Sequence, residues 1–394
     1  MNKIEGLKKP RKYFMVSIII LYLSMRGRYT FKGMERYGDH CEKTYRLHFE
    51  QDFDFLSFNL ELSKEHLSDR CVLAFDPCFL SKSGKNTYGK GKFWSSTLGK
   101  VAPGIEIAGI AAVDVTRNTA LHLESIQTPT TDQLKEEDKT LVDHYARLIE
   151  QRADQLQQIS SYLAVDGYFS KKTFVDHILK TTKLQLISKL RKDANLRYLY
   201  KGPKREGRGR PKLYDGKVNT RNIDKRRFRH VYQDQDAIIY EAIVWSWSLK
   251  RKIKVAYLEF LKDGEPTPNY TLYYSTDLAL SALWIYRYYK ARFQIEFLYR
   301  DAKQHTGLTQ CQARSKHKIY FHTNTALSAV SVAKVAHYFD TDHRKTPFSI
   351  ADIKTSYFNE LMLNLFFSNF DVGPELMKNK STIDRLLKFG SIAA

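Results

Sequence analysis

Two short apolar runs, each ending on an aspartate, constrain the fold more than any other feature of this sequence. Residues 71–75 are followed by Asp76 and a proline, and residues 162–165 are followed by Asp166 and a glycine. A short uninterrupted apolar run bounded by Pro or Gly is typical of a strand buried on both faces. We therefore predict two core strands, each with an aspartate at its tip. The alternative is a simple Asx-type turn after each strand.

A third carboxylate lies on a predicted helix far along the chain. Residues 278–303 contain neither Gly nor Pro and are rich in Ala, Leu, Tyr and Arg, which predicts one continuous helix. At about 100° per residue, one narrow stripe of this helix carries a carboxylate, three cations and a phenol. A solvated face with an ion pair between Arg292 and Glu296 is the alternative. The stripe consists of Tyr289, Arg292, Glu296, Arg300 and Lys303.

The three acids Asp76, Asp166 and Glu296 favour a functional site when they are considered together. Carboxylates delivered by two strands and a helix can converge on a hard divalent cation. Such a cation prefers oxygen ligands and keeps positions open for phosphate oxygens. We therefore expect a metal-dependent site that acts on a phosphodiester.

The charge of the chain independently favours a nucleic-acid partner. There are 64 Lys and Arg residues against 43 Asp and Glu residues, a formal net charge of +21. The excess is clustered: residues 189–229 hold 16 basic and 4 acidic residues, and the first 50 residues hold 11 against 5. Clustered positive charge is typical of phosphate binding, in which counterion release supplies much of the affinity.

The spacing Tyr-x2-Arg-x3-Glu-x6-Lys, met by four residues of the stripe, resembles the signature of bacterial insertion-sequence transposases. These are cut-and-paste enzymes of the Asp-Asp-Glu (DDE) class. The resemblance implies a ribonuclease-H-like core in which Asp76, Asp166 and Glu296 are catalytic and hold two Mg²⁺ ions, with Mn²⁺ as a substitute. Arg300 departs from the pattern, because relatives often carry a lysine there.

The resemblance also implies partners and an activity. The chain would bind double-stranded DNA at the terminal inverted repeats of its element and at a target, cleave a strand and transfer it. A homodimer would form when the two ends are paired. Tyr289, Arg292, Arg300 and Lys303 would contact the DNA. The alternatives are a nuclease of the same fold that does not join strands, and a DNA-binding regulator derived from a transposase.

The order of predicted elements indicates an α/β fold in four parts. Residues 1–68 form an N-terminal all-helical DNA-binding domain, and residues 69–195 and 277–340 form the mixed-sheet core. Residues 196–276 form a basic, β-rich insertion before Glu296, and residues 341–394 form a helical C-terminal region. In the core we predict strands at 71–75, 105–115, 119–126, 162–165 and 183–190, a loop at 82–104, and helices at 131–158 and 174–180.

The N-terminal part and the insertion carry further candidate DNA contacts. Helices at 13–25, 31–37 and 42–51 could form a helix-turn-helix, with Lys43, Arg46 and His48 exposed on the third, or could simply cap the core. Arg208 and Arg210 lie in a Gly-Arg-rich segment that resembles an AT-hook-type minor-groove arm, or that serves as a charged linker. Insertion strands are predicted at 237–247, 253–260 and 270–275, with a turn at 264–266.

Trp245 and Trp247 are predicted to share one face of an insertion strand. Trp245 is a candidate platform for a flipped base, and packing of both rings under a hairpin is the alternative.

The cysteines and the first apolar run indicate where the protein works. Four cysteines without a C-x-x-C pair argue against structural zinc and against a disulfide framework. The apolar run at 14–25 is too short to span a bilayer. We expect a cytoplasmic, nucleoid-associated bacterial protein without a membrane anchor.

Overall fold

The computed structural model describes residues 7–203, 211–339, 347–370 and 377–392. Within them, twelve strands form one mixed sheet flanked by helices. The strands are β1 Cys71–Ser81, β2 Gly91–Ser95, β3 Lys100–Asp114, β4 Thr119–Gln127, β5 Tyr162–Val165, β6 Gln185–Leu190, β7 Leu196–Leu199, β8 Tyr214–Lys217, β9 Arg229–Gln233, β10 Ala237–Ser246, β11 Arg251–Lys262 and β12 Glu265–Ser275.

The first four α-helices of the described residues lie in the N-terminal part. The full set of α-helices in these residues is α1 Lys9–Ser24, α2 Phe31–Tyr37, α3 Glu42–Glu50, α4 Phe55–His66, α5 Thr131–Glu136, α6 Leu141–Glu150, α7 Ala153–Leu156, α8 Lys172–Thr181, α9 Ala282–Arg292, α10 Gln294–His305, α11 Lys316–Phe339, α12 Ile350–Phe370 and α13 Met377–Leu387. None of the described helices is long and apolar enough to cross a membrane.

The central strands lie in the order β4-β3-β1-β5-β6. The strands β4, β3 and β1 pair antiparallel, whereas β1, β5 and β6 pair parallel. Parallel strands require both faces of the sheet to be covered. Accordingly Val72 and Ala74 of β1 pack in one hydrophobic cluster with α9, α10 and α11, while Leu73 and Phe75 pack in the other with α6 and α8. This is the mixed α/β architecture that the sequence predicts.

The insertion continues the same sheet. β12 pairs antiparallel with β6 from Leu272 opposite Leu190 to Ser275 opposite Ile187, and β11, β10, β7 and β8 follow outward. Insertion strands at 237–246, 251–262 and 265–275 confirm those predicted, but the turn lies one residue earlier, at Asp263-Gly264. Both turn residues have positive φ, 54° and 82°, which suits a tight two-residue hairpin.

Glu241 of β10 connects the insertion to the next helix. Its carboxylate is buried, pairs with Arg229 and with Lys254 (3.1 Å), and accepts the backbone N–H of Ala282 at 3.1 Å. Ala282 is the first residue of α9, where backbone N–H groups lack partners inside the helix. The start of α9 is therefore fixed by the insertion.

Several local predictions were wrong, two of them because of pairing with distant strands and one because of local helix caps. β1 does not end at Asp76 but continues to Ser81, because β3 pairs with it along its whole length. The predicted loop at 82–104 contains β2, which pairs with the start of β3. The predicted helix at 131–158 is three helices. Two of them begin at threonine caps, Thr130 and Thr140, that each close a capping box.

The N-terminal helices pack directly on the core. Phe14, Met15 and Ile18 of α1 lie in the same hydrophobic cluster as α9, α10 and α11. Lys354 of α12 reinforces this contact, because its ammonium donates to the carbonyl oxygens of Tyr22 and Met25 at 3.0 and 3.1 Å. Helices α2 and α3 agree with the predicted ones within one residue, α1 begins at Lys9 rather than at residue 13, and α4 is an additional helix.

Candidate active site

Asp76 lies in the middle of β1, on the face that packs against α9 and α10. Its side chain is 22% exposed, and its Oδ1 is 3.4 Å from Nη1 of Arg292, the last residue of α9. The backbone carbonyl of Asp76 accepts a hydrogen bond of 2.6 Å from the hydroxyl of Tyr299 in α10. Both the side chain and the backbone of this aspartate are thus contacted by the two helices.

Gly109 permits this close approach. It lies opposite Asp76 in the β1–β3 pair. A Cβ atom at residue 109 would be 2.0 Å from the Tyr299 hydroxyl oxygen, closer than real Cβ contacts allow. A residue without a side chain is therefore required for the buried Tyr299 to reach the strand.

Asp166 is next to Asp76 in the sheet. β1 and β5 are parallel and pair Phe75 with Val165, so the two aspartates follow immediately on neighbouring strands about 5 Å apart. Asp166 Oδ1 is 3.5 Å from the hydroxyl of Tyr289 in α9, and Oδ2 accepts the backbone N–H of Tyr168 at 3.4 Å.

Glu296 lies in the first turn of α10, because the predicted single helix at 278–303 is interrupted. At Phe293 the chain closes two i→i+3 hydrogen bonds, to Lys290 and from Glu296, which end α9 and start α10. The first turn of a helix favours a carboxylate through the macrodipole. Arg292 still reaches Glu296, with Nη2 3.2 Å from Oε1.

Arg292 therefore lies between two carboxylates, those of Asp76 and Glu296. Burial raises the pKa of Asp76 to about 7; the positive charge of Arg292 opposes this rise, and the negative charges of Glu296 and Asp166 add to it. Burial also raises the pKa of Glu296, again opposed by Arg292. Arg292 contacts both Asp76 and Glu296, and Asp166 follows on the strand beside Asp76, so the three predicted acids lie near one another.

Lys303 lies on the same side of the sheet. It is close enough to the thiol of Cys78 to lower the pKa of that thiol against the larger, opposite effect of burial. Cys78 is two residues after Asp76, so the two side chains share one face of β1. Arg300, in contrast, turns away: it pairs with Asp301 at 2.9 Å and stacks over Phe297, with 55% of its side chain exposed.

The acids suit a hard cation by their chemistry, since all their donor atoms are oxygens. Within the described ranges, however, no group of three or more His, Cys, Asp or Glu side chains is arranged to hold a metal ion. The guanidinium of Arg292 supplies the positive charge between Asp76 and Glu296 instead.

A comparison with known protein families gives a match for this chain. The family described as "Transposase DDE domain" matches residues 109–331, more than half of the chain. The chain belongs to this transposase family. The match confirms the family that the sequence resembles, and it includes Asp166 and Glu296, whereas Asp76 lies upstream of it. A search of curated proteins finds no match.

Asp114 of the transposase, at the end of β3, is another aspartate inside the matched range, whereas Asp76 lies before it. Asp114 is fully buried, and its two carboxylate oxygens accept hydrogen bonds from Ser68, Thr116 and Arg117. It closes the turn after β3 and is not part of the group formed by Asp76, Asp166 and Glu296. Asp76 is the acid that the structure brings beside Asp166.

The other predicted DNA contacts of the transposase lie apart from the acids. Lys43 and Arg46 are exposed on α3, and Arg46 pairs with Glu42. The prediction that His48 is exposed was wrong: its ring stacks on Phe14 at 3.8 Å, because α3 packs against α1. Trp245 is half-buried beside Tyr214 at 5.6 Å. Arg208 and Arg210 lie outside the described residues.

Sequence reasoning missed Tyr299, Gly109 and Glu106 of the transposase. Glu106 is a mostly buried acid on β3 whose negative charge also raises the pKa of Asp76. No local pattern marks Tyr299 or Glu106, because each acts through a contact between distant segments. The only sequence signal is the placement of Gly109 inside an apolar strand, where glycine often marks a close approach.

The raised pKa of Asp76 predicts a pH dependence of stability. The folded protein holds the Asp76 proton up to about pH 7, whereas the unfolded chain releases it near 3.8, so the stability of the metal-free protein should fall as the pH rises through this interval. The stability of the Asp76→Asn variant should fall less over the same pH interval. Urea unfolding of both proteins in EDTA at pH 5 and pH 8 measures this difference. Parallel pH profiles would contradict the buried setting of Asp76.

Proposed function

We propose that this protein is the transposase of a bacterial insertion sequence. It binds the terminal inverted repeats, cleaves the DNA at the element ends and transfers the strand to a target. The observation that carries the proposal is the cluster of Asp76, Asp166 and Glu296, which two adjacent parallel strands and a helix start bring to one face of the sheet.

The acids would hold the divalent cations on which this family generally depends, two Mg²⁺ ions for which Mn²⁺ substitutes. These cations supply activation of the attacking water or 3′ hydroxyl and stabilisation of the leaving oxygen. The protein fixes the positions of the acids: Tyr299 holds the backbone at Asp76, and the Tyr289 hydroxyl approaches Asp166. Such fixed geometry is what in-line displacement at phosphorus requires.

The cations of the stripe would bind the DNA beside the scissile bond. Arg292 lies between two of the acids and Lys303 lies near Cys78, and each would pair with phosphate oxygens; a guanidinium can do so through two parallel hydrogen bonds. Arg300 is exposed farther along α10 and would contact a neighbouring phosphate. Tyr289 packs against Tyr273, with ring centroids 4.4 Å apart, which holds its hydroxyl toward Asp166.

The remaining parts of the chain would share DNA recognition. Residues 1–68, with Lys43 and Arg46, would act as the DNA-binding domain, and the insertion at 196–276 would add Arg208, Arg210 and Trp245. The core would comprise 69–195 and 277–340, and the helices of 341–394 would support a homodimer that pairs the two element ends. We propose that the protein works in the bacterial cytoplasm on nucleoid DNA.

The deciding experiment uses a linear DNA carrying the inverted repeats that bound the reading frame, together with a supercoiled target plasmid. In Mg²⁺ the protein should cut at the repeat ends and join the ends to the target, and EDTA should stop both steps. Cutting without joining would favour a same-fold nuclease. Specific binding without cutting, in Mg²⁺ and in Mn²⁺, would favour a regulator derived from a transposase.

A further inference from the structure

A second charged region lies outside the three acids. It is a cleft of about 1020 Å³ bounded by α2, α3, the segment that follows β1, and the segment 309–315 that follows α10. Six cationic side chains and one carboxylate, that of Glu42, line it. We call it the basic cleft, and its cations are Arg28, Lys32, Arg46, Lys82, Arg314 and Lys318.

The walls of the basic cleft are fixed to one another. The buried ammonium of Lys82, just after β1, donates to the carbonyl oxygens of Thr309 and Cys311 at 3.2 and 2.7 Å. The backbone N–H of Tyr29, just before α2, donates to Oε1 of Gln310 at 2.9 Å. The N-terminal helices and the two core segments thus form a single preorganised surface.

Part of the positive charge in the basic cleft is uncompensated. Arg46 pairs with Glu42 at 2.6 Å, and Lys318 pairs with Glu50 at 2.6 Å. Arg28, just before α2, and Arg314, in the segment 309–315, are exposed and form no ion pair within the part of the chain that the structure describes. Two guanidinium groups without an ion-pair partner on one concave surface suit a ligand with repeated negative charge.

The position of the basic cleft relates it to the acids. β1 carries Asp76 and reaches the cleft at Ser81, five residues or about 17 Å farther along the strand. Along the helix α10, Glu296 and His305 are nine residues or about 14 Å apart, and the cleft segment begins four residues later, at Thr309. Two independent elements therefore lead from the acids towards the cleft over similar lengths.

We propose that the basic cleft binds the sugar-phosphate backbone of the element-end DNA about five base pairs from the scissile phosphate. The distance follows from a rise of about 3.4 Å per base pair along duplex DNA. The proposal rests on the proposed function. It adds the location on the protein of the DNA segment that flanks the cleavage site. Contacts of this type set the register of the DNA on the protein without reading its sequence.

The test is the salt dependence of binding to an element-end duplex in EDTA, measured by fluorescence anisotropy for the full chain. The double variant Arg28→Gln/Arg314→Gln should bind more weakly, with a slope of log K against log [salt] shallower by about two, one for each lost phosphate contact. The matched control is Arg147→Gln/Lys180→Gln, two exposed cations on α6 and α8 across the sheet. The control should keep the wild-type slope.

A second measurement locates the contact. Neutral methylphosphonate linkages placed four to six base pairs from the cleavage site should weaken binding of the wild-type protein but add nothing to the defect of the double variant. Thermal melting should show that both proteins are folded. Equal slopes for the folded double variant and the wild type would then overturn the cleft proposal, while cleavage by the wild type would leave the proposed function intact. If the wild type does not cleave the ends, the function and the cleft proposal fail together.

Discussion

Loss of the negative charge at any one of the three acids should reduce DNA cleavage at element ends by at least about 10³-fold, which corresponds to about 4 kcal/mol of transition-state stabilisation. The variants are Glu296→Gln, Asp76→Asn and Asp166→Asn. Each substitution keeps the shape of the side chain but removes the negative charge that a divalent cation requires. DNA binding should remain close to that of the wild type, because these acids repel phosphates rather than hold them. Cleavage rates at saturating protein and binding in EDTA separate the two effects.

Two control variants sharpen this prediction. Glu136→Gln changes an exposed acid at the end of α5 and should leave cleavage unchanged. Asp114→Asn should lower the stability, because one of the two buried oxygens that accept hydrogen bonds becomes an NH2 group that cannot accept them, but folded protein should still cleave. If Asp76→Asn cleaved normally and folded Asp114→Asn did not, the first catalytic acid would be assigned to the wrong strand.

Gly109→Ala should destabilise the protein and impair cleavage together. The new methyl group would meet the Tyr299 hydroxyl at 2.0 Å in a fully packed interior, an overpacking that costs about 1–3 kcal/mol. Relief requires movement of α10, which carries Glu296, and a displacement of about 1 Å at a catalytic group costs about 10²-fold in rate. Urea unfolding and the cleavage rate of the same preparation measure both effects.

The double variant Gly109→Ala/Tyr299→Phe identifies the cause. Without the hydroxyl oxygen, the nearest ring atom is 3.0 Å from the new methyl group, so part of the stability should return. Tyr299→Phe alone should lose only the hydrogen bond to Asp76, about 1 kcal/mol. Additive losses in the two single variants and the double variant would show that Gly109 and Tyr299 do not interact.

The strands and the acids were predictable because their signals are local. The apolar runs before Asp76 and Asp166 mark strands that are buried on both faces, and the structure has both. The ion pair between Arg292 and Glu296, which helical spacing predicts as the alternative for the stripe, is present even across the tightened turn at Phe293. Arg292 is also buried against Asp76, so this part of the stripe is not a solvated face.

What the sequence could not predict depends on distant partners. The continuation of β1 beyond Asp76 requires β3, and the outward turn of Arg300 depends on Asp301 and Phe297 rather than on helical spacing. A stripe drawn at 100° per residue assigns equal roles to all its members, whereas packing decides which of them face the strand.

The pairing of β6 with β12 has a consequence for exchanging parts among related enzymes. Since this ladder runs from Leu190 opposite Leu272 to Ile187 opposite Ser275, cutting out residues 196–276 would strip β6 of its neighbour and leave a hydrophobic margin open to self-association. A graft that slips by a single position would invert every side chain of the incoming strand. Chimeras should therefore be joined outside this ladder, with its alignment kept.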